Sequence, residues 1–305
     1  MPVSSCESGG LLVAIGDLVE DVVVWPHRPI VQGTDNPSTV TRCRGGSAAN
    51  VAAFAAALGP SRFIGRVGDD AAGRSLTAEL EEQGAQVRVQ RSGRTGTIVV
   101  CVSEDGERTM FPDRAAAAEL SDVPGEWVAG ASTVLISLYA LGRPASAACV
   151  LSLASAAKRA GATIAVDLSS IDLIAELGVR TVVELLARLG PSVCFANRDE
   201  AELFPKSAVI GIGSKFVVKN GAEPVVVHGL NGSRLLVPVD PVSDVHDTTG
   251  AGDAFAAGYL HAAQLGMVPF EAAAFGSRMA ARVLHNPGAS LGTSFVADSM
   301  NPTPP

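Results

Sequence analysis

Residues 247–253 read Asp-Thr-Thr-Gly-Ala-Gly-Asp and open a long alanine-rich stretch, and this segment does most to decide the predicted fold. The small residues at 250–252 let the backbone turn tightly and approach a ligand closely. Their N–H groups are expected at the start of a helix, where the helix dipole favours an anion. Asp253 falls in the first helical turn beside that anion, where a carboxylate can accept a proton from a hydroxyl group. The alternative is a tight turn with an ordinary helix N-terminal acid, and a second acid in front of the turn, Asp247, weighs against it.

Short β-branched segments alternate with segments of helical period along the rest of the chain. Segment 11–15 is apolar throughout, as expected for a strand covered on both faces. Further strands are predicted at 61–65, 133–137, 163–167, 192–196 and 215–219, and helices at 48–58, 71–83, 144–160, 181–189, 250–265 and 269–284. This alternation predicts an α/β fold with a doubly wound, mostly parallel sheet and helices on both faces.

Two segments, at about 22–43 and 86–111, interrupt this pattern. Both alternate apolar and polar residues, as a sheet with one wet face does, and the turns at 92–94 and 104–106 separate strand-like runs. We expect both segments to form one small sheet beside the main domain. The predicted organisation is therefore a flexible N-terminus at 1–10, one domain at 11–297 carrying the small sheet, and a flexible tail at 298–305.

A second glycine pair precedes the helix predicted at 48–58. Gly45 and Gly46 lead into this helix, and Asn50 would lie in its first turn with its side chain available to a polar ligand. The alternative is a plain helix N-terminus with Ser47 as its cap.

The composition disfavours several classes of partner. The chain has 23 Lys+Arg against 31 Asp+Glu, a formal net charge of −8, which repels a nucleic-acid backbone. Five scattered cysteines without a C-x-x-C spacing are typical of reduced thiols in a cytoplasmic protein. No apolar run approaches the roughly 18 residues that span a bilayer. We therefore expect no nucleic acid and no membrane as partners.

Other enzyme classes lack their motifs in this sequence. There is no G-K-[ST] of a Walker-type NTPase, and the G-x-G sequences at 211–213 and 250–252 lack the third glycine of a dinucleotide site. The G-x-S-x-G at 288–292 follows a helix and precedes no histidine, so the order of a hydrolase triad fails. The five histidines show no metal-ligand spacing.

Three motifs, in this order and at these separations, resemble those of the ribokinase-like (PfkB) family of carbohydrate and nucleoside kinases. They are Gly45-Gly46 with Asn50, the Asn-Arg-Asp-Glu at 197–200, and the segment 247–253. The resemblance covers residues 11–292 and implies a Rossmann-like domain with a small β-sheet lid. The two interrupting segments fall where that lid is expected.

The resemblance also implies a role for each matching position. Asp253 matches the catalytic base, and the anion hole is implied at Gly250, Ala251 and Gly252. Substrate contacts are implied at Asp17, Asp21, Gly45, Gly46, Asn50, Tyr139 and Arg114, although Arg114 is equally expected as a solvated arginine. ATP contacts are implied at Asn197, Lys219, Gly221 and Ser277, water-mediated Mg²⁺ binding at Glu200, and a potassium ion at Asp247 and Thr249. Without the other motifs, 197–200 would be interpreted as a helix N-cap with an acid at its third position.

Departures from the family pattern bear on the ligands. Pro224 stands where the nucleotide loop usually has its second glycine, and proline removes an N–H and fixes φ. Ser47-Ala48 replaces the Lys-Gly of ribokinases proper, and 168–170 lacks the Pro-Asn-Arg often seen in sugar kinases.

From these observations we predict an ATP- and Mg²⁺-dependent kinase that phosphorylates a hydroxymethyl group of a small sugar or sugar acid. One alternative is a nucleoside kinase of adenosine or cytidine type, which the aromatic content of 5% disfavours. A second is a non-catalytic sugar sensor, against which the intact 247–253 motif argues.

The lid further predicts a homodimer through its apolar face. That face is expected to carry Val22, Val24, Val40, Val87, Val89, Ile98, Val100 and Val102.

Overall fold

The computed structural model describes residues 9–103, 107–205, 212–286 and 288–292. The strands in these ranges are β1 Leu11–Ile15, β2 Val19–Pro26, β3 Ser38–Gly45, β4 Ser61–Val67, β5 Gln86–Arg91, β6 Gly96–Val102, β7 Arg108–Asp113, β8 Ala131–Ser137, β9 Thr163–Asp167, β10 Val193–Asn197, β11 Lys215–Lys219, β12 Val225–His228 and β13 Arg234–Val237. The helices are α1 Ser47–Ala56, α2 Ala71–Glu82, α3 Pro144–Arg159, α4 Ile171–Leu177, α5 Val179–Leu189, α6 Arg198–Glu202, α7 Ala251–Gln264 and α8 Pro269–Val283.

The central sheet has the strand order β13-β12-β11-β10-β9-β8-β1-β4-β5. The strands from β11 to β5 are parallel, and β12 and β13 extend the sheet in antiparallel fashion at one edge. Along β1, Leu12 and Ala14 belong to one buried cluster and Val13 and Ile15 to the other. The first cluster includes residues of α1, α7 and α8, and the second residues of α3 and α5. Burial on both faces explains the uninterrupted apolar sequence of β1 and confirms the predicted doubly wound fold.

A separate four-stranded sheet has the order β3-β2-β6-β7 and forms the lid. Its strands β2 and β6 are parallel, while β3 and β7 pair in antiparallel fashion at the edges. One face of this sheet packs Val19, Ile98, Val100 and Val102 around Ala117, at the junction with the main domain. This face is the inner face of the lid, and the opposite one is its outer face.

Strand β5, at Gln86–Arg91, was expected in the lid and lies in the central sheet instead. It pairs in parallel with β4, with Phe63 opposite Val87 and Gly65 opposite Val89. Its alternating pattern arises because β5 is an edge strand: Val87 and Val89 pack against the core while the intervening side chains face outward. The turn at 92–94 therefore connects two sheets and does not close a hairpin. Val87 and Val89 are accordingly not part of the lid.

Other differences lie at the edges of the fold. The short helices α4 and α6 and the antiparallel strands β12 and β13 were not predicted, because each is only four to seven residues long. Of the segments expected to be flexible, 1–10 and 298–305, residues 1–8 and 298–305 lie outside the described residues, as does the turn at 104–106. None of the helices in the described ranges combines the length and the hydropathy that a bilayer-spanning helix requires. Cys43, Cys101, Cys149 and Cys194 are free thiols.

Candidate active site

The carboxyl ends of the parallel strands bring the predicted site residues to one edge of the central sheet. Asp17 follows β1, Asp167 ends β9, Asn197 ends β10 and Lys219 ends β11. Ligands of open α/β sheets bind at this edge. The lid crosses over the same edge, since its strands β2 and β3 connect β1 to α1.

Asp253 lies in the first turn of α7, as the sequence predicted. Its carboxylate accepts hydrogen bonds from Ser47 Oγ at 2.8 Å and from Asn50 Nδ2 at 2.9 Å. The preceding Gly250 has a φ of 77°, and a Cβ on it would lie 2.6 Å from that of Ala289. Only glycine fits both demands, so the tight turn before Asp253 depends on this residue.

The surroundings of Asp253 favour its protonated form. Burial raises its pKa to about 7, and the nearby carboxylate of Asp167 acts in the same direction. Hydrogen bonds from Asn50 and Ser47 and the charge of Lys219 oppose this rise. A carboxylate with a pKa near neutrality has the proton affinity required of a general base.

Helix α1 holds Asp253 from the other side. Gly46, at a φ of 103°, is the N-cap of α1, so Ser47 is not the cap, and its hydroxyl is directed to Asp253 instead. Asn50 was expected to contact the substrate. Here its amide joins two charged groups, because it donates to Asp253 and its Oδ1 accepts from the buried Arg44.

The substrate side of the site contains two carboxylates. Asp17 Oδ2 accepts from Arg114 Nη1 at 2.5 Å, while Asp17 Oδ1 and Asp21 Oδ1 are buried without a hydrogen-bond partner. A Cβ at Gly45 would lie 2.1 Å from Asp21 Oδ1, so that glycine leaves room for the carboxylate. Burial raises the pKa of Asp21 to about 6, and the charge of Asp17 adds to the rise. Unpartnered buried acceptors indicate a ligand with hydroxyl donors.

Tyr139 and Arg114 lie against each other beside these carboxylates. The guanidinium carbon of Arg114 is 3.3 Å from the centre of the Tyr139 ring, and the tyrosine hydroxyl donates to Ser169 O at 3.3 Å. Arg114 is therefore held by Asp17 and Tyr139 and is not solvated freely. One face of the Tyr139 ring is covered by this contact.

A buried ion pair lies near Asp253. Lys219 Nζ is 2.8 Å from Asp167 Oδ2, and a Cβ at Gly252 would lie 3.2 Å from Lys219 Nζ. Burial alone would lower the pKa of Lys219, but the carboxylates of Asp167 and Glu200 raise it, so the side chain is an ammonium ion. A positive charge thus lies against the turn predicted to receive a phosphate.

Asn197 and Glu200 form a capping box at the start of α6. Asn197 Oδ1 accepts from Glu200 N at 2.8 Å, and Glu200 Oε2 accepts from Asn197 N at 2.8 Å. The helix N-cap with an acid at its third position, which the sequence offered as the alternative for 197–200, is therefore present. Glu200 is also buried, and this burial and the charge of Asp167 raise its pKa to about 7. A carboxylate kept so far from solvent favours a nearby cation.

Two further unpartnered atoms lie where ATP contacts were predicted. Asn220 Oδ1, next to Lys219, and Ser277 Oγ, on α8, are buried and have no hydrogen-bond partner. The loop after β11 is closed by Asn220 Nδ2, which donates to Pro224 O at 2.8 Å, and Gly221 adopts a φ of 61° in it. The amide of Asn220 thus stabilises a loop in which Pro224 replaces the usual glycine.

Asp247 organises the loop in front of α7. Its Oδ1 accepts from Thr249 N at 2.8 Å and from Thr249 Oγ1 at 2.7 Å, and its Oδ2 accepts from Gly288 N at 2.8 Å. Arg108 of the lid forms an ion pair with the same carboxylate. Burial alone would raise the pKa of Asp247, but the hydrogen bonds from Thr249 and Gly288 and the charge of Arg108 lower it. The G-x-S-x-G sequence at 288–292 therefore belongs to a loop that packs on this aspartate.

Sequence reasoning missed Asp167, Arg44 and Arg108. A carboxylate at the last position of the predicted strand 163–167 was a signal for Asp167, since strand ends of a parallel sheet meet at the site. Arg44 and Arg108 gave no such signal, because each reaches its partner across elements that are distant in sequence. No group of three or more His, Cys, Asp or Glu side chains that could hold a metal ion occurs in the described part of the chain.

The chain matches one family model over nearly its whole length. The model, described as "pfkB family carbohydrate kinase", matches residues 10–294.

Curated relatives and solved structures point in the same direction. The chain is 34% identical over 261 residues to the ATP-dependent ribose-1-phosphate kinase of Halopiger xanaduensis, covering 82% of this chain and 83% of that protein. It is 30% identical over 274 residues to the fructokinase of Klebsiella pneumoniae, with coverage of 82% and 83%. The adenosine kinase of Sinorhizobium meliloti superposes with a TM-score of 0.84 at 25% identity, covering 96% of this chain and 98% of that one.

Proposed function

The chain belongs to the pfkB family of carbohydrate kinases, and from this premise we propose that it transfers the γ-phosphoryl group of ATP to a hydroxymethyl group of a small sugar or sugar acid. The family and its ATP dependence follow from the match over residues 10–294 and from the named kinases among its relatives. The acceptor and the roles of individual residues are the proposal.

One observation supports the proposal above the others. Asp253, with a pKa of about 7, directly follows the 250–252 turn, and the Lys219 ammonium lies near both. The unpartnered oxygens of Asp17 and its neighbour Asp21 lie near the carboxyl end of β1, at the same edge of the central sheet. In the proposed reaction, Asp253 accepts the proton of the acceptor hydroxyl as the hydroxyl oxygen attacks the γ-phosphorus. The bond between that phosphorus and the β–γ bridging oxygen breaks, and ADP leaves. The N–H groups of the turn receive the charge of the transferred phosphoryl group.

The unpartnered atoms support the assignment of the two substrates to the two sides. Hydroxyl groups of a sugar would donate to Asp17 Oδ1 and Asp21 Oδ1, which leaves the sugar beneath the lid. On the other side, Asn220 and Ser277 would contact the nucleotide, and Lys219 would neutralise its phosphates. The four unpartnered buried atoms of Asp17, Asp21, Asn220 and Ser277 would then each gain a hydrogen-bond partner, as buried polar groups generally require.

The carboxylates present near Lys219 also fit Mg²⁺ as ligands. This ion is usually held by one or two carboxylates together with substrate phosphates and waters, so it needs no cluster of three acidic side chains. Glu200 and Asp167 are buried carboxylates near Lys219, and they would hold the ion through water. When bound, Mg²⁺ neutralises charge on the phosphates.

Potassium at Asp247 and Thr249 stays a prediction. Asp247 Oδ2 accepts a hydrogen bond from Gly288 N and keeps lone-pair capacity for a cation. A cation there would fix the loop whose N–H groups form the anion hole.

A nucleoside kinase is the second candidate, because the adenosine kinase of Sinorhizobium meliloti shares the fold at a TM-score of 0.84. Against it, one ring face of Tyr139 is occupied by Arg114 and does not offer a stacking platform for a base. The sugar assignment is therefore preferred.

An acceptor screen tests the proposal. ADP formation is measured with ATP, Mg²⁺ and, in turn, ribose, ribose 1-phosphate, fructose, 2-keto-3-deoxygluconate, adenosine and cytidine. We expect turnover with a sugar or sugar derivative. Preferential turnover of a nucleoside would support the second candidate, and thermal stabilisation by a sugar without ADP would indicate a sensor.

A homodimer through the lid completes the proposal. Its structural basis is the exposed apolar residues on the outer face of the lid.

A further inference from the structure

We propose that Arg108 is a positioning residue that completes the anion hole only when the lid is closed. The inference rests on the proposed kinase function and adds to it a link between the sugar side and the phosphate side of the site. It is carried by the ion pair between Arg108 of the lid and Asp247 of the main domain.

Arg108 is placed on the inner face of the lid by the register of its strands. It is the first residue of β7 and lies opposite Val102 of β6, whose side chain is buried on that face. Directly opposed residues of an antiparallel pair project to the same side. The side chains of Arg108 and Asp247 are 20% and 10% exposed, so the pair is largely shielded from solvent.

Asp247 is the group through which Arg108 acts. This carboxylate binds the N–H and hydroxyl of Thr249 and the N–H of Gly288, and so it joins the loop before α7 to the loop at 288–292. The turn at 250–252 begins one residue after Thr249. Any change in the position of Asp247 is therefore transmitted to the N–H groups that face the phosphate.

The charge of Asp247 needs compensation at this place. A shielded carboxylate close to the anion hole repels the triphosphate and the charge that develops on the transferred group. The Arg108 guanidinium cancels that charge, and it does so from a different sheet. An open lid would remove the Arg108 charge from Asp247 and leave the loop without its contact to the lid.

The same sheet carries the carboxylate proposed to bind the sugar. Asp21 is on β2 of the lid, and Arg108 is close enough for its charge to lower the pKa of Asp21. A sugar that holds the lid closed through Asp21 thereby keeps Arg108 on Asp247. Phosphoryl transfer is then efficient only when an acceptor is present, which limits the wasteful hydrolysis of ATP.

The test compares Arg108→Met, Arg108→Lys and the control Arg42→Ala, a lid arginine whose side chain is 68% exposed and pairs with Glu20 on the outer face. With the best acceptor from the screen, we expect Arg108→Met to lower kcat by about 10²-fold, the effect of a displaced loop. KM for the sugar should rise by a much smaller factor than kcat falls, because the closed lid loses one of its contacts, and the melting temperature should change little. Arg108→Lys should retain more activity than Arg108→Met, and Arg42→Ala should match the unmodified chain.

Two further measurements separate positioning from a structural role. Millimolar guanidinium ion should restore part of kcat in Arg108→Met, because it can occupy the place of the missing group. Loss of Arg108 should also cost less in an Asp247→Asn background, where no charge needs compensation.

The outcomes that overturn the inference are distinct from those that overturn the kinase function. If Arg108→Met turns over within a few-fold of the unmodified chain, or if the two substitutions have additive effects, Arg108 does not act through Asp247. If the unmodified chain forms no ADP with any acceptor, the proposed function itself fails.

Discussion

At the scale of single residues, the surroundings of Asp253 support its proposed role as a base at neutral pH. Asp253 is oriented by two donors from α1, and burial and Asp167 raise its pKa to about 7. The donors keep the carboxylate in one orientation, and the raised pKa provides its affinity for a proton. The same two donors oppose the rise in the pKa, so the orientation and the proton affinity of Asp253 are coupled.

We expect Asp253→Asn to lower turnover by roughly 10² to 10⁴-fold, the contribution of a positioned general base. KM for the sugar should change little, because an amide has the same shape and keeps an oxygen for Asn50, while the Ser47 hydroxyl can accept from the new NH₂ group. Steady-state kinetics with the best acceptor provide the measurement, and Ser47→Ala serves as a milder control. Turnover within a few-fold of the unmodified chain would show that Asp253 is not the base.

The pKa of Asp253 also predicts two pH profiles. Turnover should rise with pH through about 7, since the ionised form is the base. Stability should change in the opposite direction. The folded-state pKa lies above the ordinary aspartate value of 3.8, so the folded chain binds more protons between these two values. Its free energy of unfolding therefore falls as pH rises through that window.

The stability profile can be checked with the same substitution. Asp253→Asn removes the titrating group, so it should melt at a higher temperature than the unmodified chain at pH 8, and by a smaller margin at pH 5. Thermal melts at the two pH values suffice. An equal difference at both would show that the proton on Asp253 is not linked to folding.

At the scale of elements, the sequence predicted what local pattern determines. Apolar runs such as β1 and glycine-bounded helices such as α2 were predicted within one or two residues, because burial on both faces and helix-ending glycines act locally. The assignment of β5 to the lid was wrong, since an edge strand of the main sheet and a lid strand share one alternating pattern. The partner of a strand is a long-range property. For the same reason, the motifs indicated Asp253 and Asp247, whereas Arg44 and Arg108 needed the structure.

The loop between β13 and α7 is predicted to bind a monovalent cation. If a monovalent cation binds Asp247 and the carbonyl of Thr249, turnover in K⁺ should exceed turnover in tetramethylammonium at equal ionic strength. Asp247→Asn should abolish the difference between the two salts. Arg108→Met should preserve it, since Arg108 contacts Oδ1 and leaves Oδ2 to the cation. Equal rates in K⁺, Na⁺ and tetramethylammonium would contradict the prediction.

At the scale of the whole molecule, the lid has two faces of different character. The inner face buries Val100 with Ile98 and Val102 at the main domain, so these residues cannot contact a second copy as the sequence had suggested. The outer face is composed of the alternate positions of the same strands. Val22, Val24 and Val99 are half-buried there, and Val40 and Phe111 are 56% and 58% exposed. The Arg42–Glu20 ion pair lies beside these residues on the same face, and an exposed apolar patch of this kind is unusual on a monomer.

We therefore expect a twofold homodimer in which the outer faces of two lids pack together. Light scattering at micromolar concentration distinguishes 31.1 kDa from twice that mass, about 62 kDa. Within a dimer, Phe111→Asp or Val40→Asp should shift the mass towards the monomer, because each would bury an unpaired charge in the interface. Leu236→Asp is the matched control, since Leu236 is 52% exposed but lies on edge strand β13 of the central sheet, away from the lid. Val100→Asp is not informative, because it would disturb the lid's own packing. A monomeric mass for the unmodified chain, or a dimer that Phe111→Asp and Val40→Asp leave intact, would exclude the lid interface.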